Sequence, residues 1–169
     1  SGLPPAIVRI HGGPTSQTPR AYSPEAAYFT TRGYAWLEVN HRGSAGYGYS
    51  YMNALERGWG EIDVEDAAGA AQVLADQGLA DGQRLVIYGG SAGGYTVLNT
   101  LIRYPGWFKA GVCLYGVSNL FLLDVETHKF EAHYNNSLIG PLPEALDHYY
   151  ARSPVFHADR IRDPLSMAM

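Results

Sequence analysis

Short apolar runs alternate with helical patterns along the chain, which is typical of βα units that build a parallel sheet. Four runs of apolar, partly β-branched residues are bounded by turn residues and predict buried strands. Helical spacing of apolar residues, or capping and stop signals, predicts helices between them. The predicted strands are residues 6–10, 34–39, 84–88 and 109–115, and the predicted helices are 61–77, 92–103 and one that Ser23 caps and Gly33 ends.

The remaining segments have weaker patterns. Residues 40–60 are rich in glycine and tyrosine, which predicts a long functional loop more than a regular element. Residues 121–129 and 144–150 are predicted to form short helices, and residues 165–169 to begin a fifth strand. The order of elements predicts an α/β fold, and 169 residues are about the length of one domain.

Charge and composition exclude several classes of function. Twelve basic against sixteen acidic residues give a net charge of −4, so nucleic acid is not an expected partner. The single cysteine, Cys113, cannot form an intramolecular disulfide, and no zinc-ligand spacing occurs, so no metal or other cofactor is expected. The apolar runs are far shorter than the roughly 20 residues that span a bilayer, so no membrane segment is expected. The N-terminus has neither an initiator methionine nor a signal-peptide layout, which suggests a segment of a longer, cytoplasmic protein.

The strongest chemical signal is a G-x-S-x-G pattern at residues 89–94, GGSAGG, between a predicted strand and a predicted helix. A tight turn between strand and helix forces its serine into a strained conformation, and the small neighbours leave room for it. Ser91 is therefore the candidate nucleophile, and the N–H of Ala92 is a candidate oxyanion donor. The alternative is a glycine-rich turn with a bystander serine.

A second motif, HGGP at residues 11–14, follows the first strand, where α/β-hydrolases place the other half of the oxyanion hole. Glycine lets the backbone approach the substrate oxygen, so the N–H of Gly12 is the first candidate donor and that of Gly13 the second. His11 either lines this site or, the favoured alternative, fixes the loop by hydrogen bonds.

With these motifs the chain resembles the catalytic domain of the prolyl oligopeptidase family of serine peptidases, in particular its acylaminoacyl-peptidase-like and dipeptidyl-peptidase-like branches. The segments that carry the resemblance are HGGP at 11–14, NHRGSAGYG at 40–48, WGEIDVED at 59–66 and GGSAGG at 89–94. The resemblance implies an α/β-hydrolase fold preceded by a β-propeller, and peptide or acyl-peptide hydrolysis through an acyl-enzyme on Ser91. The propeller is absent from this sequence.

The resemblance also implies that the chain is a truncated α/β-hydrolase. In this fold the triad runs serine, acid, histidine, and the sequence stops at Met169, before the expected acid and histidine. We therefore expect near-inactivity, since loss of the histidine costs about 2 × 10⁶ in rate in subtilisin. The alternative is an internal triad that draws on Asp124 and on one of His128, His133, His148 and His157.

Arg42 matches the arginine of the N-x-R-G-S segment. Its guanidinium could clamp a substrate carbonyl or carboxylate, but we favour a pairing with Asp66 that braces the loop.

By analogy with the α/β-hydrolase fold, the strands are expected to lie in the order second, first, third, fourth across the sheet. The second and fourth strands would then be edges of the sheet, each with one side unpaired. A bare apolar edge can pair with another chain, which predicts a homodimer or an exchange of segments between copies.

Two alternatives to a peptidase remain from the sequence. One is a carboxylesterase of the hormone-sensitive-lipase type, whose pattern also combines an HGG loop with G-x-S-A-G-G. The other is a non-catalytic interaction domain that keeps the α/β-hydrolase fold. Pro14, Gly90 and the NHRGSAGYG segment favour the peptidase.

Overall fold

The computed structural model describes residues 2–126 and 134–168, whose strands form a parallel sheet. All four strands predicted from apolar runs are present: the first has the predicted bounds, and the ends of the other three differ from the prediction by at most two residues. The order across the sheet is β2-β1-β3-β4-β5, which contains the predicted order of the first four strands. The strands are β1 (Ala6–Ile10), β2 (Ala35–Val39), β3 (Leu85–Gly90), β4 (Ala110–Leu114) and β5 (Leu165–Ala168).

The helices follow the predicted alternation. Ser23 caps the first of them, since its hydroxyl accepts a hydrogen bond from the N–H of Ala26 at 3.1 Å. The predicted helix over 121–129 is described as far as residue 126, and its last three positions lie outside the described residues. The helices are α1 (Pro24–Thr30), α2 (Tyr49–Asn53), α3 (Ile62–Asp76), α4 (Ala92–Arg103), α5 (Leu120–Glu126), α6 (Tyr134–Leu138) and α7 (Leu146–Arg152), with 3₁₀ turns at Pro154–Phe156 and Ala158–Arg160.

The prediction of a continuous loop over residues 40–60 was wrong, because α2 lies inside it. This helix has five residues, none of them buried. The residue before it, Gly48, is the N-cap, with a φ of 93° and no side chain to cap the helix. A single exposed turn has no apolar stripe to reveal it, so periodicity could not detect it.

The prediction that the fourth strand is a bare edge was also wrong. Strand β5 pairs with β4 in parallel over four residues, from Gly111 opposite Leu165 to Leu114 opposite Ala168. The amide of Tyr115 continues this ladder by donating to the carbonyl of Ala168 at 2.6 Å. The four-residue run after the Asp163-Pro164 turn is therefore long enough to cover β4. In the described sheet the edges are β2, as predicted, and β5.

The main core lies between one face of the sheet and helices α3 and α4. Alternate residues of the strands, such as Val8 and Ile87, point into it and are fully buried. Cys113 is also buried there, which confirms that it packs as an apolar residue. Helix α4 is buried along most of its length, from Ala92 to Leu101, so it is held from all sides.

A second buried cluster lies beyond the carboxyl ends of the strands. It contains Trp59, Tyr95 and Tyr149, and joins the start of α4 to helices α6 and α7. The start of α4 is therefore packed against both clusters, which fixes the turn that precedes it. None of the described helices has the length and apolarity that a membrane span requires.

Candidate active site

Ser91 occupies the turn between β3 and α4, as the sequence predicted. Its backbone has φ 55° and ψ −124°, a conformation that is strained for any residue with a Cβ atom. The turn is held by the Ser91 N–H, which donates to the carbonyl of Leu114 at 3.0 Å, and by its carbonyl, which accepts from the N–H of Tyr95 at 3.0 Å. The side chain is exposed and does not cap the helix, so its hydroxyl is available for chemistry.

Two glycines of the motif are required because backbone atoms approach them closely. A Cβ on Gly89 would lie 2.5 Å from the carbonyl oxygen of Gly93, across the turn. A Cβ on Gly93 would overlap the carbonyl oxygen of Ile10 and lie 2.8 Å from that of His11. The glycines thus let α4 start directly against the end of β1, which brings Ser91 beside the HGGP loop.

The HGGP loop passes next to Ser91. A Cβ on Gly12 would be 3.5 Å from the Cβ of Ser91, and Gly13 lines the same cavity as Ser91 and Ala92. The ring of His11 donates through Nδ1 to the carbonyl oxygen of Gly12 at 2.7 Å. In a trans peptide the N–H points opposite to the C=O, so this bond directs the amide of Gly13 away from the His11 ring.

His11 is a loop-fixing residue, the alternative favoured from the sequence. Because a carbonyl only accepts, Nδ1 carries the proton, and Nε2 then accepts from the hydroxyl of Ser44 at 2.7 Å. The ring stacks on that of His41 with centroids 4.7 Å apart and an interplanar angle of 17°. Burial lowers the pKa of both histidines, which keeps the stacked pair neutral. The pair connects the HGGP and NHRGS loops.

Arg42 braces its loop in the way that the sequence favoured over a substrate clamp. Its Nη2 and Nε donate to Oδ1 of Asp66 at 2.8 and 3.0 Å, and its backbone N–H donates to Oδ2 at 2.7 Å. The hydrogen bond to Asp66 raises the pKa of the arginine further. Both partners are thus occupied by each other, and the pair fastens the loop to α3.

A cavity of about 140 Å³ opens beside Ser91. It is lined by Gly13, Pro14, Ser91 and Ala92 from the nucleophile turn and the HGGP loop. The cavity presents more polar than apolar surface, and the other lining residues, which form its wall, are Trp59, Val117, Leu123, Tyr134, Asn135 and Leu138. Sequence analysis did not predict these wall residues, because most lie after Gly116, where the hydrophobic pattern is weak. The position of Trp59 as the first residue of the WGEIDVED segment was the one available signal.

The candidates for an internal triad do not come together in the described residues. Asp124 accepts hydrogen bonds from the hydroxyl of Tyr149 at 3.3 Å and the amide of Asn135 at 3.4 Å. His148 donates to the carbonyl of Ile139 at 3.4 Å, and His157 to that of Tyr150 at 3.2 Å.

The other two histidines, His128 and His133, lie outside the described residues. No described histidine is hydrogen-bonded to Ser91.

A buried acid, Asp63, lies below the site and was not predicted. Its Oδ1 accepts from the N–H of Gly60 at 2.6 Å, and its Oδ2 lies 2.5 Å from the hydroxyl of Thr96 on α4. Burial raises the pKa of Asp63 from 3.8 to about 6. The same hydroxyl of Thr96 lies 3.1 Å from the carbonyl of Ala92, so the acid is connected to the first turn of α4. In the sequence Asp63 resembles any acidic residue in the first turn of a helix, so its burial could not be predicted from the sequence.

The parallel sheet with flanking helices and a serine at the turn after β3 define an α/β-hydrolase fold. The Prolyl oligopeptidase family profile matches residues 20–169. The chain therefore belongs to the prolyl oligopeptidase family of serine peptidases, as its motifs implied.

Curated relatives agree with this assignment. Dipeptidyl peptidase family member 6 of Caenorhabditis elegans is 34% identical over 165 residues, which cover 94% of this chain and 22% of the relative. The acylamino-acid-releasing enzyme of Arabidopsis thaliana is 31% identical over 170 residues, which cover 95% of this chain and 22% of the relative.

Solved structures match the same region. A puromycin-hydrolyzing peptidase of Mycobacterium tuberculosis superposes with a TM-score of 0.95 at 46% identity, over 99% of this chain and 25% of its own. An acylaminoacyl peptidase in complex with Z-Gly-Gly-Phe-chloromethyl ketone superposes with a TM-score of 0.87 at 29% identity, over 98% of this chain and 27% of its own. The chain thus spans about a quarter of the length of these proteins.

Proposed function

We propose that this chain carries the nucleophile and the oxyanion hole of a serine peptidase that hydrolyses peptides or acyl-peptides. The observation that carries the proposal is the exposed hydroxyl of Ser91, which does not cap α4, on a strained turn directly beside the glycines of the HGGP loop. A strained conformation at a non-glycine residue is retained where it places a reactive group. The family match over residues 20–169 supports a peptidase over the carboxylesterase and the non-catalytic alternatives.

In the proposed reaction the Ser91 oxygen attacks the carbonyl carbon of the scissile bond while a general base takes its proton. The carbonyl oxygen becomes an oxyanion that accepts hydrogen bonds from two backbone amides. Collapse of this intermediate expels the amine and leaves an acyl-enzyme, which water then hydrolyses. Each oxyanion donor contributes about 3–4 kcal/mol to the stability of the transition state.

We assign the two donors to Ala92 and to the HGGP loop. Ala92 is the first residue of α4, where helix geometry leaves the N–H without an intrahelical acceptor. On the loop, Gly13 is favoured over Gly12, because Gly13 and Ala92 line the same cavity while Gly12 lines a separate cleft that shares only Ser91 with it. His11 then acts as a positioning residue, because its bond to the Gly12 carbonyl sets the plane of the Gly12-Gly13 peptide.

The base and its acid are assigned to parts of the intact protein outside the described residues. The described histidines are bonded elsewhere, and Asp124 accepts from Tyr149 and Asn135. The order serine, acid, histidine of this fold supports the same assignment. The 169-residue chain by itself is expected to turn over peptides at most at a residual rate.

The cavity beside Ser91 is the proposed binding site for the side chain on the acyl side of the scissile bond. None of the described residues that line it is charged, which favours an uncharged group there. Because structures at 46% and 43% identity are of puromycin-hydrolysing enzymes, we propose an aminoacyl amide such as puromycin as a test substrate beside peptides.

The test is hydrolysis of peptide p-nitroanilides and of puromycin by the intact protein, compared with its Ser91→Ala variant. We expect Ser91→Ala to lower kcat by about 10⁶ without unfolding the protein. Ser50→Ala is the matched control, because Ser50 is also exposed but lies on α2 with no role in the site. Turnover that survives in Ser91→Ala contradicts the proposal, and ester hydrolysis without peptide hydrolysis favours the esterase.

We also propose a location and an oligomeric state. A cytoplasmic location is proposed from the sequence and is tested by fractionation of cells that express the intact protein. A homodimer through sheet edges is proposed now for β2 and β5 instead of β2 and β4, because β5 covers β4.

A further inference from the structure

A second cavity adjoins the cavity beside Ser91. Its volume is about 320 Å³, and the two cavities share Tyr134 and Leu138 as lining residues. Thr15 lines the second cavity and lies two residues along the chain from Gly13, which lines the first. Two residues of extended chain span at most about 7 Å, so a short peptide bound at Ser91 can reach the second cavity.

One carboxylate sets the charge of the second cavity. Glu56 is exposed, and it is the one charged residue among the described residues that line this cavity. No ion pair within residues 2–126 and 134–168 includes Glu56, and the neighbouring Arg57 does not line the cavity. The carboxylate is therefore accessible to a cation that arrives from solution.

Backbone hydrogen bonds hold Glu56 at the side of this cavity. Its N–H donates to the carbonyl of Asn53 on α2 at 3.0 Å. The N–H of Arg57, the next residue, donates to the carbonyl of Ser137 on α6 at 2.8 Å. Both helices contribute lining residues, so the position of Glu56 is fixed relative to the two helical walls. Helix α2, which the loop prediction over residues 40–60 missed, thus forms part of a cavity close to the nucleophile.

The other lining groups suit a cation. Thr15, Asn53 and Ser137 carry side-chain oxygen atoms that can accept hydrogen bonds. Tyr49 contributes an aromatic ring, whose faces attract cations. No lysine, arginine or histidine is among the described lining residues, so an anion would meet only the repulsion of Glu56. An ammonium group fits these surroundings, since its three N–H donors can serve the carboxylate and the neutral oxygens together.

We propose that Glu56 is a specificity-determining residue and that the second cavity binds an ammonium group of the substrate, about two residues from the scissile bond. The ammonium group donates to the Glu56 carboxylate. A peptide with an acylated N-terminus has no charge there and gains this contact only if it carries a lysine. This inference rests on the proposed function, because it takes Ser91 as the point at which the substrate is cleaved.

The first test uses substrates that differ in one group. Peptide p-nitroanilides of two to four residues with an N-terminal glycine are compared with the same peptides that begin with a glycolyl group, in which a hydroxyl replaces the ammonium. With the intact protein at pH 7 and low salt, we expect kcat/KM to be about fivefold higher for the amine at the length that reaches Glu56. Fivefold is the upper value for an ion pair at an exposed site. The preference should decline in 1 M NaCl, which screens such a pair.

A second pair of substrates identifies the source of the ammonium group. N-acetyl dipeptide p-nitroanilides carry either lysine or norleucine before the residue at the scissile bond. A preference for glycine over glycolyl identifies the N-terminus as the bound group, and a preference for lysine over norleucine identifies a basic side chain. Either preference supports the proposal. Equal kcat/KM values within every pair in the wild-type protein overturn it.

Glu56→Gln keeps the size of the side chain and removes its charge, so the preference should fall to about one. Glu144→Gln is the matched control, because Glu144 is also exposed but lines neither cavity. The two variants change the net charge equally, and the preference should remain near five in Glu144→Gln. A preference that survives in Glu56→Gln, or that falls equally in both variants, overturns the role of Glu56.

A binding measurement separates this inference from the proposed function. Calorimetry on the intact Ser91→Ala variant compares the amides of the glycine and glycolyl peptides, which need no turnover, with and without the Glu56→Gln substitution. Tighter binding of the amine that depends on Glu56 supports the inference even if no peptide is hydrolysed, which would contradict the proposed function alone. Equal binding of the amine and glycolyl peptides, together with equal hydrolysis, overturns the inference and leaves the role of Ser91 as it was.

Discussion

Replacement of Asp63 by asparagine tests whether this buried acid, which is connected to the first turn of α4, is more stable protonated or ionised in the folded protein. The Thr96 hydroxyl has one hydrogen but two acceptors near it, Oδ2 of Asp63 at 2.5 Å and the carbonyl of Ala92 at 3.1 Å. If Asp63 is protonated, its Oδ2–H donates to Thr96 and the Thr96 hydroxyl donates to Ala92, so every group is satisfied. Asparagine reproduces this pattern, because its Nδ2 donates to Thr96 and its oxygen accepts from Gly60.

The size of the effect follows from the pKa of Asp63. A pKa raised by burial from 3.8 to about 6 corresponds to about 3 kcal/mol of free energy. Between these two values the native state binds the proton and the unfolded state has lost it, so the contribution of Asp63 to stability falls as the pH rises from about 4 to 6. Above pH 6 the full cost of the buried charge remains. Asp63→Asn should therefore be up to about 3 kcal/mol more stable than the wild type at pH 8, and this difference should vanish toward pH 4.

The assay is urea unfolding followed by tryptophan fluorescence from pH 4 to pH 8, with the free energy of unfolding of the variant compared with that of the wild type at each pH. The difference isolates Asp63 from the other titrating groups. Asp63→Leu is the control at the same position. It also removes the charge, but it leaves the N–H of Gly60 without its acceptor, so it should be less stable than Asp63→Asn at every pH. An Asp63→Asn variant that is less stable than the wild type at pH 8 refutes the reasoning, because it means that the carboxylate is the favoured form.

The other predictions concern the surroundings of Ser91 and the sheet edge. Gly93→Ala places a methyl group against the backbone of Ile10, so α4 must move away from the end of β1. This change should lower stability by about 1–3 kcal/mol and slow fluorophosphonate labelling of Ser91. Unchanged labelling would show that the nucleophile turn tolerates this movement of α4. Arg42→Lys keeps the charge but loses the fork to Asp66, and thermal unfolding should show a loss of about 1 kcal/mol; no loss would mean that the brace is dispensable. Sedimentation of the 169-residue chain should reveal dimers through the exposed edge of β2, and a monomer at all concentrations would contradict this.

The nucleophile turn and the strand order could be predicted because local signals and topology rules agree there. The four glycines around Ser91 predict a tight turn between strand and helix, where larger side chains would not fit. The structure places the serine in such a turn, with a φ of 55°. Similarly, Arg42 and Asp66 lie 24 residues apart, but the family motifs bring both onto facing segments and they pair as predicted. The motifs, the hydrophobic pattern and the topology rules all predict the same strand order and the same position for Ser91.

The wall of the cavity could not be predicted, because it depends on packing between distant segments. Val117 and Leu123 look like ordinary apolar residues in a region without clear periodicity, and Tyr134 belongs to a helix of five residues. The burial of Asp63 is likewise a property of the folded surroundings. The pairing of β5 with β4 depends on tertiary contacts, because a run of four residues forms a stable strand only beside a partner strand.

A crystal structure of the intact protein with a phosphonate bound to its nucleophile tests the central claim most directly. We predict a covalent bond from the Ser91 oxygen to phosphorus, with one phosphonyl oxygen about 2.7–3.1 Å from the amide nitrogens of Ala92 and Gly13. A bond of that oxygen to Gly12 in place of Gly13 would keep the oxyanion hole and change only its second donor. An adduct on another residue, or a phosphonyl oxygen that points away from both the α4 start and the HGGP loop, would contradict the account.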